Sequence, residues 1–277
     1  MATRDGVIGL LAGTGAFPEV IAEAIKSRGL PLVCVQVSGE STLLARVADH
    51  YHRPAMAEWK DIIATLHTHG VRQALVAGQF SRLHLLAMGS VLDALKVPSN
   101  DRRDVPLFQH LAHLLDTLGI VLLDQTRFVG DLLARPGVLT RRSPTPAEAA
   151  DLAFGQTVAR RMADLDVGQT VVVRGGVILA VEAAEGTDAA IRRGGAMAPE
   201  AVVVKVSRPN QDPRFDIPAV GPETVAAMRE IGARALGIDG RRMLLLNRDR
   251  VIAEADAAGI TVVAADMPPL GTPVHDA

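Results

Sequence analysis

The tightest constraint on how this chain can fold lies in residues 6–37, "GVIGLLAGTGAFPEVIAEAIKSRGLPLVCVQV". A short β-rich run, "GVIGLLAG", stops at "GTG". The segment that follows places Val20, Ile21, Ala24 and Ile25 at helical spacing and stops at Gly29. "LPLVCVQV" then reads as a strand apolar on both faces, the kind found inside parallel sheets. The opening is therefore β, α, β, and two strands joined through a helix pair in parallel. The alternation continues with a helix over Trp59 to His69, a strand "QALVAG" ending at Gly78, a helix from about Val105 to Leu118, and a strand "GIVLLD" closing near Asp124. Such a series implies a parallel sheet covered by helices on both faces. Aromatic residues make up only 3% of a chain that is 48% hydrophobic, so its core is built from Leu, Val, Ile and Ala in closely spaced layers.

After Asp124 the pattern changes. "RFVGDLLARPGVLTRRSPTPAE" is turn-rich and polar, and it reads as the boundary between two domains. A helix begins near Ala147 behind Thr145-Pro146, and two β-branched runs then flank Arg174-Gly175-Gly176, a hairpin signal. Further on come a strand "AVVVKVSR", an irregular stretch "PNQDPRFDIPAVGPE", a helix, the strand "MLLLN", a helix and the strand "ITVVAAD". The expected organisation is an α/β protein with a parallel-sheet domain over residues 1–130, a linker over 131–146 and a mixed α/β domain over 147–277, with no internal repeat. With 277 residues, two domains of ordinary size can each bury a core.

Composition removes several functions. The net charge is −2 with both signs interspersed, and stacking aromatics are scarce, which speaks against nucleic-acid binding. The single cysteine, Cys34, lies in an apolar run and supports neither a disulfide framework nor a thiolate metal site. The start lacks the pattern of a secretory signal, and no window approaches about 18 uninterrupted apolar residues. A cytoplasmic protein is the simplest expectation.

Four groups of residues invite chemistry. Gly13-Thr14-Gly15 lies between a strand and a helix, where a phosphate can approach backbone N–H groups. It matches a dinucleotide fingerprint only in part: Pro18 stands where a third glycine is expected, and Gln36 rather than an acid ends the second strand. Gly78-Gln79 ends another parallel strand and has two readings, a part of the same crevice or a plain strand-to-helix turn. The histidine pairs His50/His52, His67/His69 and His110/His113 have no evident third ligand to join them, so zinc is not expected. The strongest group is the carboxylate set Glu182, Glu185, Asp188, Asp212 and Asp216, accompanied by Arg192, Arg193, Lys205, Arg208 and Arg214. Oxygen-only ligands select Mg²⁺ or Mn²⁺, and basic residues beside them suit phosphoryl chemistry. Within this set, "EGTDAAIRR" at 185–193 has two readings, a capped surface helix or part of a site.

The segments "LLAGTGAFPEVIAEA", "VAGQFSR", "RPGVLTRR", "LDVGQTVVVRGGVILAVEAAEGTDAAIRRGG" and "VKVSRPNQDPRFDIPAVGPETV" resemble the LpxI family of UDP-2,3-diacylglucosamine pyrophosphatases from about residue 7 to residue 265. The resemblance implies a Rossmann-like N-terminal domain, a C-terminal α/β domain and a ligand cleft between them. It implies Mg²⁺-dependent hydrolysis of UDP-2,3-diacylglucosamine to UMP and 2,3-diacylglucosamine 1-phosphate in the lipid A biosynthesis of Gram-negative bacteria, with attack at the phosphorus attached to the sugar. The aspartate of the family's "R-x-D-x-P-x-x-G" segment is Asp216 here, and the acid of "EGTD" is Asp188. The segment "SNDRRDVPLF" departs from the family's paired acids, with only Asp104 fitting.

Residues and resemblance together make Asp216, Asp188 and Asp212 the catalytic candidates, with Asp216, Asp188 and Glu185 as metal ligands. Substrate contacts are expected from Gly13, Thr14, Gly15, Gly78 and Gln79 in the first domain. In the second they are expected from Thr187, Arg192, Lys205, Gln211 and Arg214. Thr187 or Asp188 is expected to cap the helix that follows, Arg192 to reach the side of Asp188, and Arg193 to be solvated. "HLLAMGSVLDALKV" is either a core helix or an amphipathic contact with the inner-membrane surface. Transient membrane contact and a homo-oligomer both remain open. Two rival readings are an NAD-binding oxidoreductase and a non-catalytic UDP-sugar lipid binder.

Overall fold

A computed structural model describes residues 6–54, 59–78, 104–209, 211–215 and 217–268. The chain divides into two compact units, Met1–Gly130 with Pro213–Asp216, and Asp131–Asp212 with Ile217–Ala277. Among the described residues, no helix is long and apolar enough to cross a membrane. The segment "HLLAMGSVLDALKV" lies outside the described residues.

In the first unit the strands are β1 (Ile8–Ala12), β2 (Leu32–Gln36), β3 (His50–His52), β4 (Gln73–Ala77) and β5 (Val121–Leu122). They form one parallel sheet in the order β3-β2-β1-β4-β5. The chain winds outward from β1 to β3, then returns to the other side of β1 for β4 and β5. The strand order thus reverses between β1 and β4, the place where open α/β sheets receive ligands. The helices are α1 (Phe17–Ser27), α2 (Thr42–Val47), α3 (Trp59–Thr68), α4 (Asp104–Thr117) and the short α5 (Thr126–Val129). Successive strand residues point to opposite faces, and both faces are buried. Leu11, Val33, Val35, Ala74, Val76 and Leu122 pack with Ile62, Leu66 and Leu115, while Ile8, Leu10 and Ala12 are equally buried on the opposite face. This arrangement explains why the strands read as continuous apolar runs.

The second unit contains β6 (Gly137–Val138), α6 (Pro146–Asp164), β7 (Thr170–Arg174), β8 (Val177–Val181), α7 (Thr187–Gly195) and β9 (Val202–Lys205). After these come β10 (Ala219–Val220), α8 (Pro222–Glu230), β11 (Ala235–Asp239), β12 (Leu244–Leu245), α9 (Arg248–Ala257) and β13 (Thr261–Ala265). Six strands form a sheet ordered β6-β13-β11-β9-β7-β8, parallel from β13 to β9 and antiparallel at both margins. β10 and β12 make a separate parallel pair. The expected hairpin is β7–β8, and both turn glycines take left-handed φ values, 59° at Gly175 and 74° at Gly176, the signature of a type I′ turn. Asp151 of α6 accepts hydrogen bonds from both turn amides, which ties the helix to the hairpin.

Residues 131–146, expected as a linker, are instead woven into the second unit. Ala134 N–H donates to Met243, β6 pairs with β13, and Thr140 Oγ1 accepts from Val262 N–H. The arginines that made the stretch look solvated are partly consumed. Arg142 donates to Thr261 Oγ1 and the Arg234 carbonyl, and to both oxygens of Glu148 at 2.6 and 2.8 Å. Glu148 also completes a capping box at the start of α6. Its side chain accepts from Thr145 N–H, and Thr145 Oγ1 accepts from Glu148 N–H.

Burial pushes the Glu148 carboxyl up, but Arg142 and the Thr145 N–H outweigh it and hold the group below its ordinary value of 4.5. A depressed carboxylate stabilises the fold above its unfolded pKa, and this contribution is lost as pH falls through the folded value. Glu148→Gln should therefore cost about 1–2 kcal/mol at pH 7, from the weakened cap and the lost charge-assisted bonds, with the difference closing as pH drops below about 4.5. Urea denaturation of both proteins across that range checks the sign.

Candidate active site

At the strand-order reversal of the first unit, Gly13 N–H donates to the Ala77 carbonyl, and the two glycine turns touch. Gly78 has φ 95°, and a Cβ there would lie 2.7 Å from both Pro18 Cγ and the Thr14 carbonyl. Gly78 therefore borders the Gly13-Thr14-Gly15 turn, as expected from the sequence; Gln79 lies outside the described residues. Among the described residues, the groups around the turn lack two features of a dinucleotide site. Gln36, 2% exposed, spends its side-chain amide on the carbonyls of Gly13 and Ser38, so the end of β2 offers no acid to a ribose. The first turn of α1 carries Glu19, whose carboxylate accepts from Ser41 Oγ at 2.6 Å and places negative charge where a pyrophosphate would need positive.

In the second unit, "EGTD" joins β8 to α7. Gly186 is the N-cap, and no side chain caps the helix. Thr187 is the first helical residue and faces elsewhere: its Oγ1 donates to Glu182 Oε1 at 2.9 Å and lies 3.4 Å from Thr170 Oγ1. Glu182 in turn accepts from Gln169 N–H. The expected cap by Thr187 or Asp188 is therefore not formed, because the chain turns at a glycine and the threonine is drawn back to the β7–β8 strand ends.

Both arginines of the motif hold carboxylates. Arg193, expected to be solvated, donates to the Val181 carbonyl and to Glu185, which also accepts from Ala183 N–H. The Arg193 hydrogen bond holds the Glu185 carboxyl below its ordinary range. Arg192 pairs with Glu230 of α8 at 2.7 Å, and that hydrogen bond, the charge of Glu230 and the nearby charge of Asp188 all raise its pKa. The Arg192 guanidinium, expected to reach the side of Asp188, is engaged by Glu230. Asp188 Oδ1 faces Thr224 Oγ1 at the long distance of 3.5 Å.

Lys205 ends β9 directly across from Thr170 of β7, so their side chains leave the same face of the sheet. Its Nζ donates to the Ala219 carbonyl at 3.0 Å, and among the described residues no carboxylate pairs with it. The structure therefore gathers Glu182, Thr187, Thr170 and Lys205 at one end of the sheet.

The loop after β9 is fixed in large part by Asp239, Arg160 and Arg242, which the sequence did not single out. Asp239, fully buried at the end of β11, accepts from Ser207 N–H and Oγ at 2.9 and 3.0 Å and from Arg160 at 2.8 Å. Arg242, also fully buried, donates to the Pro209 carbonyl. Arg208 pairs with Asp166 at 2.9 Å, and its N–H donates to Oε1 of the buried Gln211. The available signal was an acid closing a buried strand, "LGID", followed at once by "GRR". Asp212 and Arg214 are half-buried in the same loop, and the Arg214 guanidinium lies 5.3 Å from the ring centre of Phe215. Asp216 lies outside the described residues.

Among the described residues no group of three or more His, Cys, Asp or Glu could hold a metal ion. His50 and His69 stack ring on ring at 4.0 Å, an arrangement that does not converge on an ion.

Family models match the chain twice, the LpxI N-terminal domain over residues 7–132 and the LpxI C-terminal domain over residues 135–263. The chain is also similar to the UDP-2,3-diacylglucosamine pyrophosphatase LpxI of Caulobacter vibrioides, 30% identical over 276 residues that span 94% of this chain and 97% of that protein.

Because Asp239 is the buried carboxylate beside Arg160 and Arg242, Asp239→Asn should destabilise the protein by about 3–5 kcal/mol. Glu185→Gln, on an exposed pair screened by solvent, should cost far less. Guanidinium denaturation of both variants makes the comparison, and equal stabilities would contradict the assignment of Asp239 as the loop's anchor.

Proposed function

The chain belongs to the LpxI family along both of its domains, and from that premise we propose that it hydrolyses the pyrophosphate bond of UDP-2,3-diacylglucosamine to UMP and 2,3-diacylglucosamine 1-phosphate in lipid A biosynthesis. The observation that carries the reading is a match that runs almost end to end with a relative of that name, without a missing domain. The local chemistry supports it. The sheet end that carries "EGTD" combines a carboxylate, Asp188, with an ammonium, Lys205, that no carboxylate among the described residues neutralises. Arg192, Arg193 and Arg208 are each paired with an acid, so Lys205 is the cation most ready to meet a phosphate.

In this reading a water oxygen bonds to the phosphorus attached to the sugar as that phosphorus separates from the bridging oxygen. The bridging oxygen leaves with UMP, and a carboxylate, Asp216 or Asp212, takes the proton of the water. Lys205 offsets charge on the phosphoryl oxygens, and Thr187 and Gln211 orient the substrate. Asp188 and Asp216 would hold a Mg²⁺ ion. An oxygen-only pair fits this ion, which is commonly held by one or two carboxylates together with substrate phosphates. Glu185 fits less well, since its carboxylate is spent on Arg193. Bound Mg²⁺, or Mn²⁺ in its place, supplies neutralisation of the pyrophosphate charge.

Three measurements test the proposal. Asp216→Ala should abolish release of UMP, and Lys205→Met should lower kcat/KM by about 10²–10³-fold, the scale of losing one charge-stabilising group, with Lys205→Arg in between. Chelation should stop turnover and added Mg²⁺ restore it. In ¹⁸O-labelled water the label should enter the sugar phosphate and not UMP. Ligand-induced thermal stabilisation without any UMP would identify a binding protein instead.

A further inference from the structure

The second unit's loop does not stay in the second unit. Residues Pro213–Asp216 count with the first, although the chain on both sides, through Asp212 and from Ile217, belongs to the second. Phe215 makes the excursion apolar. It is 4% exposed and belongs to the same cluster as Leu11, Val35, Val76 and Leu122, residues near the carboxyl ends of β1, β2, β4 and β5. Two residues earlier, the Pro213 carbonyl accepts from Gln125 N–H at 3.0 Å. Gln125 is itself buried, and its side-chain amide donates to the Val76 carbonyl at the end of β4. The excursion is thus held by an aromatic ring in the core and by a hydrogen-bonded link to a central strand.

A chain with only six phenylalanines places one immediately before Asp216 and buries it in the first unit, whereas the chain through Asp212 and from Ile217 belongs to the second. A solvent-facing loop would have no use for this ring, and a ring of fixed shape in a packed core tolerates little displacement. We propose that Phe215 is a positioning residue: its ring, seated in the core of the first unit, fixes where the loop places Asp212, so that the parallel-sheet unit contributes to the reaction by holding the loop.

The proposal rests on the hydrolase reading for its kinetic arm and is independent of it for its structural arm. In the full-length protein, Phe215→Ala and Phe215→Leu are compared with the parent by steady-state hydrolysis of UDP-2,3-diacylglucosamine and by hydrogen exchange of peptides covering 209–218, β1 and β4. Phe215→Ala should lower kcat by about 30-fold or more while KM stays within about threefold, since the loop is displaced while most substrate contacts remain. Exchange over 209–218 should quicken while β1 and β4 keep their protection. Phe215→Leu, which keeps apolar bulk, should fall between the parent and Phe215→Ala in both readouts. If the alanine variant does not fold, the leucine variant carries the test, and its kcat and loop exchange must shift together. A folded variant with kcat within threefold of the parent, or with unchanged exchange over 209–218, overturns the proposal. A parent protein that releases no UMP would refute the hydrolase reading, and the exchange result would still decide whether Phe215 holds the loop.

Discussion

The carboxylate of Asp239 has no surface in contact with water, and much of the second unit's active end depends on it. One oxygen takes Arg160 from α6, and the other takes the amide and hydroxyl of Ser207 at the exit of β9. A charge so placed is tolerable only if its lone pairs are filled, so those donors cannot move independently of it. Three elements, α6, β9 and β11, are fastened to one group at the carboxyl end of the parallel strands. The loop that leaves β9 therefore starts from a fixed point, reinforced by Arg242 on Pro209 and Asp166 on Arg208. An ordinary surface loop of this length and polarity would need to lose more entropy to keep one shape.

Much of the fold was legible in the sequence because it rests on apolar periodicity and on turn residues. The βαβ opening and the Gly175-Gly176 hairpin follow from local rules that packing reinforces. What could not be read were partnerships between residues distant in sequence. Residues 131–146 looked like a linker because proline, glycine and arginine mark solvated chain, and nothing local shows that Arg142 meets Glu148, Thr261 and Arg234. Arg160, Asp239 and Arg242 escaped notice for the same reason, being ordinary charged residues until the fold buries them together. Asp188 and Lys205 were legible by type and by motif. Whether each was already neutralised was not.

That last distinction governs how the charges of "EGTDAAIRR" divide their work. The motif supplies two acids and two arginines, but Arg193 closes on Glu185 and Arg192 crosses to Glu230. These exposed pairs contribute little stability each. They engage both guanidinium groups of α7, so that among the described residues Asp188, one turn before Arg192, has no ion pair of its own. At the end of β9 Lys205 is in the complementary state, a cation that donates to a neutral carbonyl and that no carboxylate among the described residues pairs with. A site that handles a pyrophosphate gains from such groups, since a charge already paired must first give up its partner before it can stabilise a new one.

The same logic bears on how the loop carrying Asp212 and Asp216 is held. Charged groups fasten its beginning, at Ser207 to Pro209, through the buried Asp239 and Arg242 and the Arg208–Asp166 pair. Closer to the candidate catalytic acids, the anchor changes character and becomes a buried phenyl ring and a backbone hydrogen bond to Gln125. An anchoring arginine or carboxylate at position 215 would shift the ionisation of its neighbours, by attraction in one case and repulsion in the other. A neutral plug holds position without altering charge. In the proposed reading, where this loop presents acids to a polyanionic substrate, apolar anchoring next to the acids and ionic anchoring farther away separates the geometry of the site from its electrostatics.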